Sequence, residues 1–155
     1  MQAIQNLING QLVPAQSGKT LPNYDPATGT EYSTIPDSDL SDVQLAIGAA
    51  EKAFPMWAAL PETKRAQHLR RIGELIQNNI EKFAHAESMD NGKPVTLAQS
   101  VDIPRAIKNF SFFADTISQF TSESYQSIEP RGMHYTLRQP LGVVGCISPW
   151  NLPLS

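Results

Sequence analysis

The 155-residue chain contains a single cysteine, Cys146. One thiol excludes an intrachain disulfide and suits a reducing compartment, so a cytoplasmic location is expected. Charge is scarce too. Charged residues make up 17%, the formal net charge is −3, and no basic cluster or stripe appears. That balance argues against nucleic acid or an anionic membrane as a partner. No apolar run is long enough to span a bilayer. The opening Met1-Gln-Ala-Ile-Gln-Asn has neither the basic segment nor the apolar core of a signal peptide. The three histidines, His68, His85 and His134, lack the mutual spacing of a metal site and an accompanying acidic motif, so no metal is expected. Without a Gly-x-Ser-x-Gly turn there is no basis for Ser-His-Asp hydrolysis. Gly142-Val-Val-Gly145 does not match Gly-x-Gly-x-x-Gly, and no phosphate site is assigned to it.

What is present concentrates in the last fifteen residues. Leu141 to Ile147 is an unbroken apolar run with two glycines, the pattern of a parallel-sheet strand buried on both faces. Pro149 and Pro153 forbid its continuation as a paired ladder, so a turn is predicted there. Trp150 and Asn151 would then stand at the carboxyl end of a buried strand, where α/β proteins bind ligands. A primary amide in that place can offer N–H donors to developing negative charge without changing protonation state. Read from residues alone, Asn151 is foremost a turn or helix-cap amide. Cys146 falls inside the apolar run, where desolvation would raise a thiol, and is expected to be a small core residue.

The remaining chain reads in order as follows. Asn9-Gly10 between two apolar stretches predicts a hairpin. Thr20 to Tyr24 and Glu31 to Ile35 read as partner strands around the Asp25-Pro-Ala-Thr-Gly29 turn. Val43, Ala46, Ile47, Ala50 and Phe54 follow helical spacing, with Ser41 and Gln44 as a capping box and Pro55 as the stop. Pro61 opens a second helix that buries Leu69, Ile72 and Ile76. A third turns Ile80, Phe83, Ala84 and Met89 inward and ends at Asn91-Gly92. Glu87 and Asp90, near that end, are expected to be solvated. A long helical stretch from Thr96 to Phe120 should kink or restart near Asp102, because of Pro104. Ile107, Phe110, Ala114 and Ile117 keep its period, and Phe112 and Phe113 are expected in the core. Ser124 to Ile128 and Met133 to Arg138 predict two antiparallel strands with one wet face. The fold class is therefore α/β.

The run Pro140-Leu-Gly-Val-Val-Gly-Cys-Ile-Ser-Pro-Trp-Asn-Leu-Pro-Leu154 closely resembles the Pro-Trp-Asn signature of the aldehyde dehydrogenase superfamily. The Asn-Gly and Asp-Pro-Ala-Thr-Gly turns and Asp90-Asn-Gly-Lys-Pro94 are similar to the family at the same places. The resemblance implies the N-terminal part of an aldehyde dehydrogenase fold. Residues 1–122 would be strands and the helical layer of the cofactor-binding domain. Residues 123–139 would be an oligomerisation hairpin, and 140–155 the start of a Rossmann-like parallel sheet with the Pro-Trp-Asn turn. It implies oxidation of an aldehyde to a carboxylic acid through a cysteine thiohemiacetal and thioester, with Asn151 steadying the oxyanion. Ile147, Ser148, Pro149 and Trp150 would line the cleft for NAD, with NADP not excluded. The family's nucleophile, base and cofactor-phosphate lysine lie downstream in other motifs. The chain is thus expected to be the amino-terminal piece of a larger enzyme and inactive by itself.

Asp102-Ile-Pro-Arg-Ala-x-x-Asn-Phe110 and Met133-His-Tyr-Thr-Leu-Arg138 most resemble the 2-aminomuconic and 2-hydroxymuconic semialdehyde dehydrogenases. In that family Arg105 and Asn109 would border the substrate tunnel. Arg105 then either pairs with a substrate carboxylate or makes a surface or inter-helix salt bridge. Other readings are a betaine- or succinate-semialdehyde-type enzyme, or a truncated, non-catalytic binding or oligomerisation piece. A homodimer or homotetramer is implied, since a two-stranded ribbon is marginal alone.

Overall fold

The computed structural model describes residues 2–154. Its first part is built from short strands. Asn9 (φ 52°) and Gly10 (φ 75°) both take the left-handed region, which matches the twist of flanking strands. They join β2 (Asn6–Ile8) to β3 (Gln11–Val13), with Leu7 opposite Leu12. β4 (Thr20–Asp25) and β5 (Thr30–Pro36) pair antiparallel across a turn in which the Gly29 N–H reaches the Asp25 carbonyl at 2.8 Å. β1 (Gln2–Ala3) adds to the other edge of β5 in parallel, giving the order β1-β5-β4. Nothing in so short a pair of residues announces a strand.

Helix α1 (Leu40–Ala59) starts two residues earlier than Ser41 suggested. Its cap is Asp39 and its box partner Asp42, whose buried carboxylate accepts from the Asp39 and Gln16 backbone N–H groups at 3.0 and 2.9 Å. The spacing is that of a capping box, with aspartate in both roles. Pro55 does not stop the helix; it lies inside it. The final turn is held from outside: Arg65 donates to the Leu60 and Ala58 carbonyls, and Trp57 packs on His68 with ring centroids 5.6 Å apart. Tertiary contacts thus outweigh the local cost of the proline. The expected apolar stripe is only partly covered, with Val43 and Ile47 exposed.

Helices α2 (Glu62–Gln77) and α5 (Ile103–Ile117) form the most extensive contact. Gly73 lets them approach, with the Ile107 carbonyl 3.7 Å from where a Cβ would stand. Ile76 is buried as expected, but Ile72 is exposed, and Ala66 and Gly73 complete the buried line. α3 (Ile80–Asn91) buries Ala84 and Glu87, while Met89 is exposed. A short α4 (Val95–Leu97) runs into a π-turn, Ala98–Asp102, and α5 restarts at Ile103, the break that Pro104 predicted. The core lies here, where Ile76, Ala84, Ala98 and Ile103 cluster, flanked by Ile80, Phe83, Ile107 and Phe110.

Three sequence expectations are corrected. Phe112 and Phe113 are exposed and pack edge-on against each other at 5.3 Å. The buried line of α5 runs through Ile103, Ala106 and Ala114, and Phe112, two places before Ala114, points away from it. The hairpin β6 (Ser124–Ser127) and β7 (Gly132–Tyr135) forms, but both its faces are exposed, and Leu137 and Arg138 fall outside the ladder. Leu141 to Ile147 is irregular and exposed, Cys146 included, rather than a buried strand with a core thiol. A parallel strand exists only with neighbours, and none of the described strands lies beside this segment.

Candidate functional site

The site forms where the end of α3 meets the final turn. Asn91 ends α3, and Gly92 (φ 78°) takes the left-handed position after it. A Cβ there would sit 3.2 Å from the Pro26 Cβ, so the turn also presses against the β4–β5 connection. This reverses the chain and holds Lys93 at both ends of its peptide unit. Its N–H donates to Asn91 Oδ1 at 3.1 Å, and its carbonyl accepts from Ser88 Oγ at 2.6 Å.

The Lys93 ammonium lies 2.9 Å from Glu87 Oε1 and 2.7 Å from Asp102 Oδ2. Glu87 points inward from α3. Asp102 is turned inward by the π-turn, whose additional residue shifts the phase of the helix so that adjacent Asp102 and Ile103 are both buried. Burial works against the lysine cation. The hydrogen bonds to Asp102 and Glu87, and their charges, outweigh it and hold its pKa above the ordinary value. The third Lys93 contact reaches the backbone carbonyl of Asn151 at 3.0 Å.

The final turn is thereby tied to the helical layer. Its own bond runs from the Leu152 N–H to the Pro149 carbonyl at 3.2 Å. Leu154 packs against the core cluster of Ile76, Ala84, Ala98 and Ile103. Pro153 and Leu154 also close a groove of about 420 Å³ between β5 and α3, bordered by Ile4, Tyr32, Phe83 and Asp90. There the Tyr32 hydroxyl donates to Asp90 at 3.0 Å and accepts from the Asn23 amide at 2.9 Å. Burial first, and then the hydrogen bond to Asp90, raise the phenol.

The sequence-derived residues divide in two. Asn151, Pro149 and Trp150 lie together on the fastened turn, all exposed, with Ser148 and the fully exposed Ile147 leading into it. Arg105 and Asn109 lie one turn apart on an exposed face of α5. Among the described residues Arg105 forms no ion pair, so the inter-helix salt bridge is absent. Glu87, expected to be solvated, is buried and paired, and Asp90 holds Tyr32. Sequence reasoning missed Lys93 and its carboxylates altogether. The one local signal was a lysine directly after an Asn-Gly helix end, inside the Asp90-Asn-Gly-Lys-Pro94 motif.

The comparisons with known proteins agree on a family. The aldehyde dehydrogenase family model matches residues 12–155. The 2-aminomuconic semialdehyde dehydrogenase of Bos taurus is 44% identical over 151 residues, covering 97% of this chain and 31% of that protein. The 2-hydroxymuconic semialdehyde dehydrogenase of Pseudomonas sp. (strain CF600) is 37% identical over 158 residues, covering 99% and 32%. Among solved structures, a variant of the indole-3-acetaldehyde dehydrogenase of P. syringae, in complex with NAD+ and IAA, superposes with a TM-score of 0.91. It is 31% identical, over 97% of this chain and 30% of that one. The chain therefore spans just under a third of the length of these relatives. On the extent of these matches, the chain belongs to the aldehyde dehydrogenase family.

Proposed function

We propose that this chain supplies the oxyanion side of an NAD(P)-dependent aldehyde dehydrogenase that oxidises a muconic semialdehyde to the carboxylic acid. The observation that carries the reading is the fastened turn that leaves the Asn151 amide and the Trp150 indole exposed side by side. A cysteine thiolate adds to the aldehyde carbon, and the carbonyl electrons move onto oxygen. Asn151 donates an amide N–H to that oxygen as the charge develops. The backbone that carries the amide is held before the reaction by Lys93, which limits the reorganisation needed during it. As the electrons on oxygen return to re-form the carbonyl, hydride leaves the same carbon for the nicotinamide acceptor and a thioester results. Activated water then cleaves it, giving the acid and freeing the thiolate.

The residues before Asn151 fit a flat cofactor ring. Ile147 and Trp150 are apolar and uncovered, and Pro149 keeps the backbone between them from forming a ladder. NAD(P), when bound, supplies the hydride acceptor. Ile147, Ser148, Pro149 and Trp150 would hold it by contact, since no glycine-rich phosphate turn accompanies them. Arg105, exposed and free of any ion pair among the described residues, suits a substrate carboxylate, with Asn109 beside it. The aromatic and aliphatic side chains exposed on the hairpin, Tyr125, Met133 and Tyr135, support a homodimer or homotetramer. No helix among the described residues is long and apolar enough to cross a membrane. The single thiol suits a reducing compartment, and on that ground we place the protein in the cytoplasm.

The test is cofactor reduction by the natural gene product, with NAD and with NADP, on four aldehydes. These are 2-aminomuconic and 2-hydroxymuconic semialdehydes, betaine aldehyde and succinic semialdehyde. The expected result is a preference for the muconic pair and a fall in kcat of about 10²–10³ in Asn151→Ala. Preference for one of the other two aldehydes overturns the substrate assignment. An undiminished kcat in Asn151→Ala overturns the role of the amide.

A further inference from the structure

Lys93 has no place in the chemistry just described, yet it is the most completely held side chain in the site. An ammonium has three N–H donors. Two go to buried carboxylates, Glu87 at 2.9 Å and Asp102 at 2.7 Å, and the third goes to the Asn151 carbonyl at 3.0 Å. Two separate local devices bring the trio together. The left-handed Gly92 turns Lys93 back beneath α3, and the π-turn swings Asp102 inward. Such a trio is poor value as a source of stability, because well-packed apolar residues of the same volume often do as well or better. What an apolar trio cannot provide is a directed donor. Here the donor meets the backbone of Asn151 itself, while Leu154, three residues on, is seated against the core cluster.

We propose that Lys93 is a positioning residue: clamped by Glu87 and Asp102, it fixes the Asn151 backbone and so aims the Asn151 amide at the reacting oxygen. The inference rests on the reading of Asn151 as an oxyanion donor. A displacement of about 1 Å at such a group can cost on the order of 10²-fold in rate.

The experiment uses the natural gene product. In the triple variant Lys93→Met, Glu87→Gln, Asp102→Asn, the donor to Asn151 is lost and no carboxylate is stranded, though the two buried amides lose their lysine partner. Asp102→Asn alone keeps Lys93 in place with a weaker hold, and serves if the triple variant does not fold. The expected result is a kcat lowered roughly 10- to 100-fold in the triple variant, and less in Asp102→Asn, with KM for the cofactor little changed. In an Asn151→Ala background the same substitutions should cost no more than about twofold, because Lys93 acts only through Asn151. An unchanged kcat, or an equal further loss in the Asn151→Ala background, overturns the proposal. Asn151→Ala measured alone reports separately on the oxyanion reading. If that reading falls, amide exchange at Leu152 decides the fastening itself. Faster exchange in the variants supports it, and unchanged exchange overturns it.

Discussion

Replacing Lys93 alone with methionine leaves two carboxylates facing a space that a cation had filled. The Glu87 and Asp102 side chains are 4% and 8% exposed, and Lys93 is 16% exposed, so water screens the trio weakly. Methionine has nearly the length of lysine and adapts to irregular gaps, so lost volume contributes little. The cost is electrostatic. Breaking a buried pair by removing one partner costs about 3–5 kcal/mol, since the other charge is left uncompensated. Here two such charges remain, which puts the expected loss near neutral pH at the upper end, about 4–5 kcal/mol. That is a large part of the roughly 5–15 kcal/mol that holds a domain together. Urea unfolding of the parent and variant near neutral pH reads this as a shift in midpoint at constant slope. A loss below about 1 kcal/mol, the range of exposed pairs such as Arg70 with Asp115, would refute the reasoning.

Two glycines should respond in opposite directions to alanine. Gly92→Ala places a Cβ 3.2 Å from the Pro26 Cβ at a φ of 78° and should cost about 1–2 kcal/mol in thermal or urea unfolding. Gly73→Ala meets only ordinary contacts, the nearest at 3.7 Å, and removes a glycine from a helix interior. It should therefore stabilise by about 0.5–1 kcal/mol. At alkaline pH the Lys93 contacts should fail. Its folded pKa lies above the ordinary 10.5, so its contribution is complete below that pH and is lost as pH rises through the raised value. Unfolding midpoints of the parent should fall in that window, and those of the triple variant at Lys93, Glu87 and Asp102 should lose this component.

Features that rest on one residue's own backbone preference were legible in the sequence. Asn9-Gly10, Gly29 and Gly92 sit at the left-handed positions their turns require, and Pro104 marks the restart at Ile103. Features that depend on distant partners were not. Pro55 reads as a stop until Arg65 and Trp57 tie the last turn of α1 to α2. Leu141 to Ile147 has the composition of a buried strand, but composition cannot supply the ladder it would join. Phe112 and Phe113 look like core by type, yet both are exposed, Phe112 because its phase relative to Ala114 sends it outward. At the site, Pro149, Trp150 and Asn151 were found by resemblance. Lys93 was not, because its carboxylates come from α3 and from the last residue of a π-turn, at spacings that follow no helical or strand period.

The seat of Leu154 has a consequence for how the protein is made. Leu154 is one of the side chains packed against the cluster of Ile76, Ala84, Ala98 and Ile103, and it comes from far along the sequence from Ile76. A chain growing from the ribosome therefore makes the local contacts of the helical layer before Leu154 can take its seat. That late contact closes a long loop, whose entropy cost precedes the gain from the contact. During this interval the helical layer is exposed to misassociation, and a holding chaperone would compete with Leu154 for the same apolar surface.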